Sequence, residues 1–180
     1  MFEIRSIDPL QYRRETRRSS LIVVAVFAVL GMACATLSVQ LFGESGGNNF
    51  RWNIGGVLIG LALTIALVRL VFWHRPWMDA ARYGWALKRN LMRITNCMHL
   101  VEQRLDADDP NALRVLRFYH LATDHMRELD GQPGDPDEDL AQRERVRIGL
   151  EQQGLPIEQT RLDLTWIEAI RQACSTRTKR

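Results

Sequence analysis

The side chains best suited to metal or acid–base chemistry in this 180-residue chain are four histidines, His74, His99, His120 and His125. His120 and Asp124 lie four residues apart, which places both side chains on one face of a helix, where two ligands of one metal ion could sit. A protein metal site typically has about three or four ligands. Because no second spaced pair accompanies these two residues, we predict no metal site and expect hydrogen bonds at a helix surface or between helices.

The cysteines and the absence of known catalytic motifs also argue against a metal or catalytic site. Cys97 and His99 are two residues apart, so a helix would place them on different faces. With Cys34 and Cys174 the cysteines number three, and this odd count predicts reduced thiols. The sequence contains no phosphate-binding glycine loop, nucleophile elbow or zincin motif. It therefore predicts no catalytic residue, no cofactor and no enzymatic activity.

Two long apolar segments dominate the first half of the chain. Residues 21–42, LIVVAVFAVLGMACATLSVQLF, carry no charge and would span roughly 33 Å as a helix, enough to cross a hydrocarbon core of about 30 Å. Residues 53–75 form a second segment of similar length. The short stretch 43–52 between them is rich in Gly and Asn, which favours a tight turn. We predict a transmembrane helical hairpin.

The arginines orient this hairpin. A basic leader, residues 1–20, holds five arginines, and further basic residues follow the second segment, whereas the turn has Arg51 alone. Because basic residues favour the cytoplasmic side of a membrane, both termini are predicted to be cytoplasmic, with multi-pass topology. The leader arginines would also contact anionic membrane lipid.

Interfacial residues are expected at both ends of the hairpin. Arg69 lies one helical turn before Trp73, so its guanidinium can reach the headgroups while its stem stays among the lipid tails. The alternative is a functional charge in a pore or a packed interface. Trp52 at one end and Trp77 at the other have the amphipathic rings typical of membrane interfaces. The predicted anchoring residues are Arg17, Arg18, Trp52, Arg69, Trp73, Arg75 and Trp77.

Removal of the first segment as a signal peptide is a competing interpretation. Ala33-Cys34-Ala35 has the small-residue pattern of a cleavage site, and it follows a basic leader and an apolar run. The apolar run continues seven residues beyond Ala35, to Phe42. That continuation favours a retained span.

Small residues in both segments predict close helix packing. Gly56 and Gly60 are four apart, as are Gly31 and Ala35, and such pairs let two backbones approach where lipid supplies no hydrophobic drive. Packing within the hairpin is the simpler interpretation. Contact between two copies of the chain is the alternative.

The region 76–174 is predicted to be a cytoplasmic helical bundle. From Trp77 onward the chain has sixteen basic and seventeen acidic residues, a balance that argues against nucleic-acid binding. An apolar stripe at alternating spacings of three and four predicts one long helix from Trp77 to Leu105, in a bundle or, alternatively, a coiled coil. Met78, Trp85 and Met92 are expected to widen its buried face. The stripe includes Leu87, Leu91, Ile94, Met98 and Val101.

Three more helices are expected before a basic tail at 175–180. Asp109 and Pro110 predict the start of one helix and Gly131 its end, with a linker near 131–136. A cap and first turn at Asp135, Pro136 and Glu138 predict a third helix running to about Gln153, and the last helix is expected over 159–174. The predicted apolar residues of the third helix are Leu140, Val146, Ile148 and Leu150. The fold class is thus all-α, a membrane hairpin followed by a small helical bundle.

The opening MFEIRSIDPLQYRRETRR, followed by a hairpin and a helical tail, resembles a small family of proteobacterial inner-membrane proteins known as a domain of unknown function. The resemblance implies a location in the bacterial inner membrane. It implies no activity and no functional residues.

Three hypotheses for function follow. The first is an interaction or scaffold module that is tethered to the membrane and binds a protein partner or a second copy of itself. The second is an oligomeric channel or transport accessory, supported by two spans per subunit and by the Gly56/Gly60 step. Its polar lining would be limited to Thr64 and Arg69 of the second segment and to three residues near the outer end of the first, Thr36, Ser38 and Gln40. The third is a metal-dependent sensor or enzyme built on His99, His120, Asp124 and His125.

Overall fold

The computed structural model describes residues 1–132 and 140–178, with side chains described as far as Cys174. The predicted all-α fold is confirmed, because these residues form seven α-helices and a single pair of two-residue strands. The predicted cap at Asp135, Pro136 and Glu138 lies outside the described residues. In chain order the elements are β1 (Phe2–Glu3), α1 (Pro9–Phe42), α2 (Phe50–Leu70), α3 (Asp79–Thr95), α4 (Met98–Leu105), α5 (Pro110–Asp130), α6 (Leu140–Gln152), β2 (Arg161–Leu162) and α7 (Leu164–Thr178).

The chain divides into two compact units, which we call the hairpin unit (Gln11–Tyr83) and the helical domain (Met1–Leu10 with Gly84–Arg180). The hairpin unit contains nearly all of α1, 34 residues long, and all of α2, 21 residues long. Both helices are long and apolar enough to cross a membrane. After α2, two short 3-10 turns, Phe72–His74 and Pro76–Met78, continue the chain toward α3.

The turn between α1 and α2 is closed by one asparagine. Asn49 accepts a hydrogen bond from the Glu44 backbone N–H at 2.9 Å and donates one to the Glu44 carbonyl at 3.1 Å. A Cβ on Gly43 would lie 2.8 Å from the Asn49 side-chain oxygen, so a glycine is required beside it. The two hydrogen bonds of the Asn49 side chain thus close a loop of only seven residues, 43–49, as backbone hydrogen bonds close other turns.

The helical domain is built around α5, which is buried on most of its circumference. Asp109 caps its start by accepting a hydrogen bond from the Asn111 N–H at 2.9 Å, and Gly131 ends it with a left-handed φ of 70°. Helices α4, α6 and α7 pack on α5. The buried residues of α5 are Ala112, Leu113, Val115, Leu116, Phe118, His120, Ala122, Met126 and Leu129.

The single long helix predicted over the apolar stripe is wrong, because the structure divides it into α3 and α4. Thr95 donates its hydroxyl to the Leu91 carbonyl, and Cys97 donates its thiol to the Arg93 carbonyl. The Cys97 N–H donates to the Ile94 carbonyl three residues back, and Cys97 leaves helical geometry at φ −124°, ψ 17°, so the α-helical hydrogen-bond pattern is interrupted there. The stripe itself is a core, since Leu87, Ile94 and Val101 are fully buried within one chain.

The last helix also begins later than predicted. Residues 161–162 are extended and pair with residues 2–3, and α7 starts only at Leu164. Asp163 sets this boundary by accepting a hydrogen bond from the Thr165 N–H at 3.0 Å, and that bond lowers the pKa of its carboxyl.

Of the four apolar residues named for α6, Val146 and Leu150 are buried, whereas Leu140 and Ile148 are exposed. A short helix packed on one side has room in its contact for only part of its apolar residues.

Candidate membrane-anchoring and interaction sites

The structure brings the four predicted small residues of the hairpin together in two pairs. Gly60 packs on Gly31, where an added Cβ would lie 2.6 Å from the Gly31 Cα. Gly56 packs on Ala35, where an added Cβ would lie 2.5 Å from the Ala35 Cα. Backbone therefore meets backbone at both levels, and no side chain fits between α1 and α2 there.

Two threonine hydroxyls of the hairpin are hydrogen-bonded inside their own helices. Thr64 is buried and donates to the Gly60 carbonyl at 2.8 Å, and Thr36 donates to the Met32 carbonyl at 2.9 Å. Threonine hydroxyls commonly bond the carbonyl one turn back in this way. Thr64, one of the polar residues of the channel hypothesis, thus faces the interior of the hairpin.

Aromatic and basic side chains cluster after the end of α2. The Arg69 guanidinium lies 5.7 Å from the centre of the Trp73 ring, and Arg82 donates to the Trp73 carbonyl at 3.2 Å. Trp77 meets Phe72 edge to face, with ring centres 5.2 Å apart. Cations over indole faces and amphipathic rings are the groups that suit a membrane–water interface.

The remaining anchoring residues are divided between the two ends of the hairpin. At the turn, Trp52 stacks on Phe42, with ring centres 5.1 Å apart. Arg17 and Arg18 are exposed in the first part of α1, and Arg75 is exposed between the two 3-10 turns. Three exposed guanidinium groups are thus available to anionic headgroups.

His120 and Asp124 share a face of α5, as predicted, but each contacts a different residue of α6. Asp124 accepts two hydrogen bonds from Arg143, at 2.6 and 2.9 Å, and the His120 Nε2 lies 3.2 Å from the Gln142 Oε1. Among the described residues, no three His, Cys, Asp or Glu side chains are placed to hold a metal ion.

Burial lowers the pKa of His120, and the nearby guanidinium groups of Arg143 and Arg117 lower it further, against the opposing effects of Gln142 and Asp124. Burial also lowers the pKa of His125. His120, through Gln142, and Asp124, through Arg143, connect α5 to α6.

Helical spacing predicts that three arginines of α6, Arg143, Arg145 and Arg147, form a solvated face, with Arg147 paired to Glu151 one turn on. Arg147 does pair with Glu151, at 2.6 Å, and also with Glu144. Arg143 and Arg145 instead reach other elements, Asp124 on α5 and Asp106 after α4. The partners of Arg143 and Arg145 lie far away in sequence, so these two ion pairs could not be predicted from helical spacing within α6.

The N-terminal segment holds a structural role that the sequence interpretation missed. Phe2 pairs with Leu162 and Glu3 with Arg161 in an antiparallel register, and the Ile4 N–H donates to the Thr160 carbonyl at 3.0 Å. Residues expected to be only a basic leader therefore complete the fold of the helical domain. Only Phe2 and Ile4 alternate with polar residues here, and such a pair is too short to predict a strand from sequence.

The stripe residues predicted for packing are unequally buried. Leu87, Ile94 and Val101 are fully buried, whereas Leu91 and Met98 are half-buried. Trp85 and Met92, expected to widen the buried face, are 47% and 61% exposed. The apolar face of α3 is therefore narrower than the sequence suggested.

A family model described as a protein of unknown function (DUF3087) matches residues 2–167. The chain belongs to the DUF3087 family. The predicted resemblance to a family of unknown function is confirmed to that extent. No curated protein and no solved structure matches the chain. Membership in DUF3087 assigns no activity, so the function has to be argued from the two units themselves.

Proposed function

We propose that this chain is a membrane-tethered interaction module. Its hairpin unit spans the bacterial inner membrane, and its helical domain stays at the cytoplasmic face, where it binds a protein partner. The module acts as a scaffold and carries out no chemistry.

The pairing of β1 with β2 is the observation that carries this proposal. Residues 2–4 hydrogen-bond residues 160–162, which supports a location of the segment before α1 and of the domain after α2 on the same side of the membrane. A chain with both parts on one side crosses an even number of times. Two apolar helices satisfy this condition, and a single crossing does not.

Cleavage after Ala35 is also disfavoured by this pairing. A signal peptidase would remove β1 together with the glycine face of α1 that packs on Gly60. Both the helical domain and the hairpin would then lose a part of their packing. The arginines of the leader and those after α2 support a cytoplasmic location for both termini.

An interaction role is supported by several polar pairs of the helical domain that serve its packing. Asp124 binds Arg143, Asp109 caps α5 and binds Arg104 at 2.6 Å, and Lys88 pairs with Asp130 at 3.1 Å. A channel gains no support from Thr64, whose hydroxyl faces the interior of the hairpin.

Cysteine labelling tests the topology. In a chain whose native cysteines are replaced by serine, Ser45→Cys in the turn and Ser6→Cys before α1 form a matched pair of exposed positions. A membrane-impermeant maleimide applied to spheroplasts should label position 45 at once and position 6 only after lysis. Equal labelling of both, or labelling of position 6 alone, would contradict the proposal.

Mass measurement of the chain purified in nanodiscs at native expression level tests the interaction role. A second protein in fixed stoichiometry, lost on mild disruption of the helical domain, is the expected result. A homo-oligomer that conducts ions in a bilayer would contradict the scaffold role and favour the channel.

A further inference from the structure

One exposed face of α3 has a composition that neither core packing nor solvation explains. We define the α3 outer face as Trp85, Arg89, Met92 and Asn96, which follow one another at spacings of four, three and four and so form one stripe. The Arg89 guanidinium lies 4.9 Å from the centre of the Trp85 ring. A large aromatic and a methionine, both about half exposed or more, are thus held next to a stacked cation.

The α3 outer face is also positively charged within a nearly neutral region. No acidic residue occurs between Asp79 and Glu102, while Lys88 and Arg93 flank the stripe. Lys88 is partly neutralised by Asp130. The charge available to a partner therefore comes from Arg89 and Arg93.

A groove of about 230 Å³ adjoins this face through Arg93, which lines it together with α7. Leu164 and Ile167 supply the apolar part of the lining, and Arg93 and Arg171 supply positive charge. Glu168 is the one carboxylate in it. The groove would accept an apolar side chain whose neighbours are acidic.

We propose that the α3 outer face and this groove bind an acidic amphipathic helix of a partner protein. The inference rests on the proposed interaction role and names the surface and the chemistry of the partner. Trp, Met and Arg are the residues enriched in protein interfaces, and basic groups around an apolar stripe complement an acidic helix. A bilayer is a poorer occupant, because Leu87 and Ile94 on the apolar side of α3 are buried in the domain and only two apolar residues remain to insert.

The test uses the full chain in nanodiscs of uncharged phosphatidylcholine. The probe is a fluorescent synthetic helix of about five turns with leucine along one stripe and glutamate elsewhere, and its matched control has lysine for glutamate. The double variant Arg89→Glu, Met92→Ala should bind the acidic helix about tenfold more weakly than the wild type. The control double variant Arg145→Glu, Ile148→Ala alters exposed residues of the same kinds on α6 and should bind within about twofold of wild type.

Equal binding by both double variants, or preference for the lysine helix, would overturn the inference. A photo-crosslinking residue at position 92 in cells should form an adduct of discrete mass with another protein, which the same residue at position 148 should not form. Adducts with lipid alone, or binding to phosphatidylglycerol vesicles that the first double variant abolishes, would assign the face to the membrane and overturn the inference. Labelling of positions 45 and 6 is unaffected by these outcomes, so a failure here is distinguishable from failure of the membrane topology.

Discussion

The ring of Phe2 meets the ring of Phe118 edge to face, with centres 6.3 Å apart and planes at 89°. Phe118 is fully buried in α5, so this contact places Phe2 on the core of a domain whose second segment begins at residue 84. Arg161 adds an ion pair to Glu3 at 2.9 Å. The N-terminal segment is thereby part of the helical domain.

Phe2→Ala is expected to destabilise the helical domain by about 1–2 kcal/mol, because it removes a half-buried ring and its edge-to-face contact. Thermal unfolding in detergent, followed by circular dichroism, measures the effect. Leu10→Ala, at a residue that is 70% exposed, is the matched control and should change little. Equal melting temperatures of the two variants would mean that β1 contributes nothing to the stability of the helical domain.

Gly56→Val and Gly60→Val are each expected to destabilise the hairpin by about 1–3 kcal/mol, because the new Cβ atoms would collide with the α1 backbone. Gly55→Val is the control, since a Cβ at Gly55 meets nothing within 4 Å. The measurement is the resistance of purified chains to unfolding by increasing sodium dodecyl sulfate. The contact between α1 and α2 is refuted if all three variants behave alike.

The helical domain is expected to lose stability as the pH falls below about 6.5, the ordinary pKa of histidine. Burial lowers the pKa of His120 and of His125 in the folded state, so the unfolded chain binds more protons in this range and acid favours unfolding. The stability contributed by the neutral rings is fully present above that pH and is lost progressively below it.

Urea unfolding at pH values from about 5.5 to 8 checks this dependence. His120→Gln should reduce the pH dependence of the free energy of unfolding, and the part that remains should come from His125. His99→Gln, at an exposed histidine, is the matched control and should leave the profile unchanged. A steeper loss of stability in His120→Gln than in the wild type would contradict the assignment.

Asp109→Ala is expected to cost about 1–2 kcal/mol, because Asp109 both caps α5 and accepts two hydrogen bonds from Arg104, at 2.8 and 2.6 Å. The nearby Asp106→Ala removes only an exposed ion pair with Arg145 and should cost at most about 0.5 kcal/mol. Urea midpoints of the two variants give the comparison. Similar midpoints would show that the cap is unimportant.

Several features of the fold were predictable because they depend on neighbours within one or two helical turns. The start of α5 is set by Asp109 and Pro110 and its end by Gly131. Capping geometry at each end depends on only a few consecutive residues. Gly154 likewise follows α6 with a left-handed φ of 64°. The burial of Leu87, Ile94 and Val101 followed from their spacing, because a helix that folds must bury its apolar stripe.

The break at Thr95 to Cys97 could not be predicted from that stripe, because the apolar period continues across it. At Cys97 the backbone N–H bonds the carbonyl three residues back and the dihedral angles leave the helical region, and the apolar spacing carries no signal of either change. The exposure of Trp85 and Met92 is a result of tertiary packing. How much of the apolar face of α3 is covered depends on the width of the surface that the rest of the domain presents to it.

By itself, the sequence determined that this chain is helical, that two helices are long and apolar enough to span a membrane, and where α5 begins and ends. Those properties arise from composition, period and capping, all of which are local. Only the tertiary structure decided that Glu3 pairs with Arg161 and that Asp124 binds Arg143. These contacts join residues that are 158 and 19 positions apart, so they depend on how whole elements pack. Two-residue strands are also too short to show a periodicity from which they could be predicted.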